Sequence, residues 1–233
     1  MKIEGPLIKG RFHSRPNRFL TVVEINGELV QSHLPDPGRL KELLLPDAEL
    51  YLRPVSDAIP RKTRFTTVMV CHKGQFISLV STLPNRFVKE SLIKNNLPMF
   101  RNYNLVRSEV TVGKHRFDFL LESPKGNPFY LEIKSVTYVE NGIAQFPDAV
   151  TERGARHAMA LAELVAQGNK AGILFVCQRR DGKLLKPMWK RDPRFGEALV
   201  QAYNCGVKVW CITCEVTLKS ITLLREIPVN LTL

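Results

Sequence analysis

Short apolar runs broken by Pro, Gly and Asn open the chain, at residues 19–25, 28–32, 49–54, 66–71 and 76–80. Runs of this length, rich in β-branched and aromatic residues and punctuated in this way, predict strands. Their even spacing predicts a small all-β unit, a barrel or a sandwich, and a five-strand barrel of the OB type fits best. Residues 39–45 supply the single helical turn expected there. After Leu83-Pro84 the rhythm changes to alternating helix and strand, which divides the chain into an OB-like β-barrel over 1–83 and an α/β domain over 84–233.

In the second half a helix capped by Asn85 runs to about residue 95, with Phe87, Ser91, Leu92 and Ile93 toward the core, and breaks at Asn95-Asn96-Leu97-Pro98. Three strand-like runs follow, 105–112, 116–122 and 129–136, with turns at Gly113 and at 123–128 that predict an antiparallel meander. Asp148 is placed to cap a long helix whose apolar stripe is Ala155, Ala158, Met159, Ala162, Leu164 and Val165, closing at Gly168-Asn169. A strand at 173–177, a helix at 193–204 and a strand at 207–211 complete the order. The fold class is therefore mixed α/β: a small N-terminal barrel and a C-terminal α/β sandwich whose central sheet is mixed. The most apolar window, 171–177, is too short to cross a bilayer and reads as a buried strand.

Composition adds a partner. Thirty-four Lys and Arg against 22 Asp and Glu leave a formal charge of +12, which favours polyanions through counterion release and points to DNA. In the barrel Lys9, Arg11, Arg15, Arg18, Arg39, Arg53, Arg61, Lys62 and Arg64 lie among Phe12, Phe19, Tyr51 and Phe65. Such a mixture tracks a phosphate backbone while rings stack on bases; it equally describes an aromatic core under a solvated charged face. Five irregularly spaced Cys and a start without an apolar signal core predict a cytoplasmic protein without a disulfide framework. Cys211-Ile212-Thr213-Cys214 is a lone C-x-x-C, insufficient for zinc. No Gly-rich phosphate loop or Ser-His-Asp arrangement is evident, which argues against an NTPase or a serine hydrolase.

The chemistry concentrates in the meander. Glu132 and Lys134 are two apart in a strand and share a face, while Ile133 turns to the core. Asp118, in the apolar run Arg116-Phe117-Asp118-Phe119-Leu120-Leu121, reaches Glu132 if the two strands pair around the 123–128 turn. Two hard oxygen ligands suit Mg²⁺ or Mn²⁺, and Lys134 would orient or deprotonate a water for phosphodiester hydrolysis. A third acid is open between Glu90, on the helix, and Glu109, on the first meander strand; Glu109 is favoured because its strand adjoins that of Asp118. Arg116 beside this patch, and Arg153, Arg156 and His157 on the following helix, are further phosphate contacts; the helical group also fits a polar face with internal ion pairs.

An Asp followed after thirteen residues by E-x-K on consecutive strands resembles the PD-(D/E)XK nuclease superfamily. A closer resemblance covers nearly the whole chain, to the sugar fermentation stimulation protein A family. It rests on residues 116–121, on Glu132-Ile133-Lys134-Ser135-Val136-Thr137, on Phe146-Pro147-Asp148-Ala149-Val150-Thr151-Glu152-Arg153-Gly154, and on His33-Leu34-Pro35-Asp36-Pro37-Gly38-Arg39-Leu40. Asp36 stands where Asn is the commoner expectation, and an acid there opposes phosphate. The resemblance implies an OB-like first domain, a nuclease-like second domain, nonspecific DNA binding and a regulatory role in sugar metabolism, notably of maltose.

Overall fold

The structure is a computed structural model and describes residues 1–56 and 61–233. The barrel is built from β1 (Ile8–Asn17), β2 (Leu20–Ile25), β3 (Glu28–His33), β4 (Glu49–Pro54) and β5 (Phe65–His72), with β6 (Gln75–Ser78) hairpinned onto β5. Strand β1 pairs with both β2 and β4, and β4 pairs with β5. A short parallel pairing of Ser32–His33 with Phe65–Thr66 joins β3 to β5 and closes the ring. At that seam the hydroxyls of Thr21, Thr67 and Ser32 satisfy one another at 2.7 and 2.8 Å, so their burial costs little. Val23, Leu34, Leu50, Leu52, Val70 and Ile77 fill the interior.

The sequence runs correspond to β2–β6, while β1 carries too many polar residues to read as a strand: of its ten residues only Phe12 is buried. Gly10 is required there, because a Cβ would stand 2.6 Å from Val23 Cγ1 and 2.9 Å from the Glu24 carbonyl. Residues 39–45 make a single turn closed by the amides of Leu43 and Leu44 on the Leu40 carbonyl.

The second half follows as α1 (Leu83–Ile93), β7 (Asn104–Val112), β8 (His115–Glu122), β9 (Pro128–Val136), β10 (Tyr138–Glu140), β11 (Ile143–Phe146), α2 (Glu152–Ala166), β12 (Lys170–Cys177), β13 (Leu184–Pro187), α3 (Pro193–Asn204), β14 (Lys208–Val216) and β15 (Ile221–Ile227). The main sheet has the order β15-β14-β12-β9-β8-β7, with β9, β12 and β14 mutually parallel and the remaining pairs antiparallel. Helices α2 and α3 cover one face, burying Leu161, Phe195 and Leu199 against Phe117, Ile173 and Phe175. Helix α1 and the barrel residues Val68 and Met69 cover the other, against Phe119, Leu131, Ile133 and Leu174. The barrel thus packs directly on the sheet. The N-terminus joins the second unit too, since Lys2 bridges Ser220.

Both helix starts differ from the sequence expectation. Asn85 does not cap α1; that helix begins at Leu83 after Thr82, with proline in its first turn, and frees the Asn85 side chain for another partner. Asp148 does not cap α2; Thr151 does, accepting the Gly154 amide at 3.1 Å. Strands β10, β11 and β13 form a separate small sheet, too short to announce themselves in the sequence. Among the described residues no helix is long and apolar enough to cross a membrane.

Candidate active site

Strands β8 and β9 pair as far as Phe119 and Leu131. One step further Asp118 faces Glu132, and there the ladder gives way to side-chain bonding. Asp118 Oδ2 accepts the backbone amide of Ile133 at 2.6 Å, and its Oδ1 accepts the Asn85 amide nitrogen, also at 2.6 Å. On the other side, Glu109 of β7 has φ +55°, a left-handed residue between the Ser108–Phe119 and Val110–Phe117 pairs. The sheet is therefore distorted at Asp118 from both neighbours.

Glu132 is buried, and its Oε1 accepts from Lys134 Nζ at 2.6 Å and from His157 Nδ1 at 2.7 Å. His157 Nε2 accepts the Arg153 Nε–H at 3.4 Å, which places the imidazole proton on Nδ1, facing Glu132. Glu132 Oε2 is buried with no hydrogen-bond partner among the described residues. Burial raises the Glu132 carboxyl, but Lys134 and His157 outweigh it and hold it below the usual range. Asp118 moves the other way: burial first, then the charge of Glu132, push it up to about 6 against the bonds from Ile133 and Asn85 and the charge of Lys134. Two carboxylates side by side with opposite shifts form a site at which a cation would be favoured and a second anion resisted.

Lys134 and Ser135 open into a cleft of about 510 Å³ between barrel and sheet. Its walls are the barrel loop Asp36–Gly38, the segment Ala149–Thr151 that leads into α2, and Arg153 in the first turn of that helix, and Arg18 also lines it. Asp36 Oδ1 accepts the Gly38 amide at 2.8 Å and Asp148 Oδ2 accepts the Leu40 amide at 3.4 Å, so both acids hold the loop. Burial pushes Asp36 up to about 6, against the Gly38 bond and with the help of the Asp148 charge. The acid that the sequence sets against phosphate is thus largely turned to its own backbone.

Of the candidate residues, Asp118, Glu132 and Lys134 come together, with Arg18 and Arg153 on the cleft wall. The third acids do not join them. Glu109 is exposed and pairs with Arg116 at 3.7 Å; Glu90 pairs with Lys94 and the N-terminal amine. Among the described residues no group of three or more His, Cys, Asp and Glu is poised around one ion. Arg15 is structural, donating to the carbonyls of Arg39, Arg18 and Asp36. Arg39 lines a neighbouring groove on the barrel. Arg11 pairs with Asp47, Arg156 with Glu152, and Arg61 reaches Thr66; Lys62 and Arg64 are exposed beside it, outside the cleft.

Three partners were not legible as such. Asn85 reads as a cap, and His157 as a phosphate contact. Gln178, just past β12, donates to the Ser135 hydroxyl at 2.9 Å and buries an Oε1 that has no partner among the described residues.

The family model for the SfsA N-terminal OB domain matches residues 14–79, and that for the sugar fermentation stimulation protein RE domain matches residues 82–220. The sugar fermentation stimulation protein homolog of Moorella thermoacetica is 42% identical over 231 residues, covering 99% of this chain and 100% of its own. That of Acetivibrio thermocellus is 41% identical over 232 residues, covering 98% and 99%. The solved structure of Pyrococcus furiosus SfsA in complex with Ca²⁺ matches with a TM-score of 0.89 at 28% identity, over 99% of this chain and 98% of that one.

Proposed function

This chain belongs to the sugar fermentation stimulation protein family, and we propose that it binds DNA without regard to sequence and hydrolyses phosphodiester bonds with Mg²⁺ or Mn²⁺ at Asp118, Glu132 and Lys134, the last of which lines the cleft. The observation that carries the reading is Glu132 Oε2, a buried carboxylate oxygen with no donor among the described residues, on a carboxylate whose charge acts on Asp118. Leaving such an atom unsatisfied is costly, and a hard oxygen donor next to a second carboxylate fits Mg²⁺ or Mn²⁺. Glu132 and Asp118 would hold the ion. The Ca²⁺ in the Pyrococcus furiosus complex supports a divalent cation in this family.

When bound, the cation would polarise the scissile phosphate and acidify a water. His157 and Lys134 fix Glu132 from one side, so its free oxygen keeps its direction. Lys134 carries its ammonium at the cleft, where it orients the attacking water and offsets the charge growing on the phosphate oxygens. Arg153 and Arg18 on the walls hold flanking phosphates. Contacts of this kind read no bases, so affinity should fall steeply with salt and vary little with sequence. A regulatory role in sugar metabolism, maltose included, would act through that binding.

The test is cleavage of linear, nicked, supercoiled and single-stranded DNA by the wild type and Lys134→Ala, with Mn²⁺, Mg²⁺ or EDTA. Cutting that needs both metal and Lys134 is expected. Salt-sensitive binding with no cutting of any form removes the enzyme and leaves a DNA-binding protein on a nuclease frame.

A further inference from the structure

A second groove, of about 450 Å³, runs along the barrel and is lined by Phe12, Arg15, Asn17, Arg18, Arg39 and Lys41, with no carboxylate lining it among the described residues. It shares Arg18, Pro37 and Gly38 with the cleft that holds Lys134, so the two cavities adjoin at this loop. At the turn between β1 and β2, next to this groove, Phe19 is 42% exposed and carries the Arg18 guanidinium 4.9 Å from its ring centroid. An exposed ring under a cation at the edge of a basic groove is a base-stacking platform, and stacking is available only to an unpaired base.

The dimensions point the same way. Each cavity is in the size range of a small-ligand site, room for a short stretch of one strand. Lys134 is 12% exposed and lies between the Asp36–Gly38 loop and the start of α2, so a phosphate reaches it by entering the cleft.

We propose that the strand delivered to the cleft is single: it lies along the barrel groove over Arg39 and Lys41, stacks a base on Phe19, and turns past Gly38 to Lys134. This rests on the DNA-binding reading above and assigns its substrate class, single-stranded DNA or the unpaired arm of a junction.

The experiment is fluorescence anisotropy of the full-length protein in EDTA, so that cleavage plays no part. The probe is a labelled mixed-sequence oligonucleotide, alone or annealed to its complement. The single strand is expected to bind more tightly. Phe19→Ala should weaken single-strand binding by about 5- to 100-fold, the range of one lost base stack, and duplex binding by less, with Phe19→Tyr restoring it. A melting curve checks that each variant is folded, and Arg39→Ala tests the groove independently. Equal or tighter duplex binding, or equal losses on both probes, overturns the single-strand path and leaves DNA binding standing. No binding to either probe overturns both readings. Normal binding here, with no cutting in the Mn²⁺ and Mg²⁺ assay above, overturns the nuclease alone.

Discussion

Asp36 of the barrel and Asp148 of the segment before α2 close on the same glycine: a Cβ on Gly38 would stand 2.9 Å from Asp36 Oδ1 and 2.9 Å from Asp148 Oδ1. Asp148 is itself fixed through its carbonyl, which accepts from Arg191 at 2.6 Å. The barrel loop is therefore seated on the α/β unit by two carboxylates, at the place where the groove meets the cleft.

Gly38→Ala tests that seating. The added methyl must displace a carboxylate that holds a backbone amide, and overpacking of this kind costs about 1–3 kcal/mol. A lower denaturant midpoint with an unchanged slope is expected. A variant as stable as the wild type would show that the loop yields and that the seating is loose.

The Glu132 carboxyl lies below the usual Glu value of 4.5 despite its burial. A depressed carboxyl contributes stability that is present above the unfolded value and lost as pH falls through the folded one. Glu132→Gln removes that contribution and leaves the Lys134 ammonium, 12% exposed, without its anion. Breaking such a buried pair costs about 3–5 kcal/mol near neutral pH. The difference from wild type should shrink in acid, where the native carboxylate is also lost. Denaturation curves at several pH values check it; a difference independent of pH would sink the assignment.

Asp118 has the opposite sign. Pushed up to about 6 from 3.8, by burial first, it contributes stability that is full below the unfolded value and lost as pH rises through about 6. Asp118→Asn keeps an acceptor for the Ile133 amide, and Asn85 can turn its own amide to match. The variant should therefore be more stable than wild type by about 1–3 kcal/mol at about pH 8, with the gain gone near pH 4. Added Mn²⁺ should raise the melting temperature of wild type only, and less so below about pH 6, where Asp118 holds its proton. Equal stabilisation of both proteins by Mn²⁺ would take Asp118 out of the metal site.

The strand that carries Glu132, Ile133 and Lys134 was legible because alternation is a local property, and an acid amid Phe117 and Phe119 stands out in any apolar run. The parallel pairing of β9, β12 and β14 followed from the helices between them. What was not legible depends on long-range contact. Asn85 reaches Asp118 across 33 positions, and Leu40 reaches Asp148 across 108. Strand β1 escaped because its charged side chains face outward, so pairing on both edges leaves almost no apolar trace. Glu109 looked well placed by strand adjacency, but its left-handed backbone sends the side chain to Arg116.

Arg15 and Arg153 look alike in the sequence and differ in role. Arg15 donates to the carbonyl oxygens of Arg39 at 2.6 Å, Arg18 at 2.8 Å and Asp36 at 3.3 Å, so its charge is spent on the barrel loop. Arg153 is exposed on the cleft wall, and its one hydrogen bond among the described residues, to His157, is long at 3.4 Å. A residue that neutralises a phosphate sets the salt dependence of binding, with a slope of roughly −0.9 per contact on duplex and roughly −0.7 on a single strand. Arg153→Ala should weaken binding on all sequences alike and lower the magnitude of the slope by about 1. Arg15→Ala should instead leave the slope in place and lower stability by about 1–3 kcal/mol, since three carbonyls lose a charged donor. Titrations at several salt concentrations, beside unfolding curves, separate the two. If Arg15→Ala flattened the salt slope while unfolding at the wild-type midpoint, the division between loop anchor and phosphate contact would have to be redrawn.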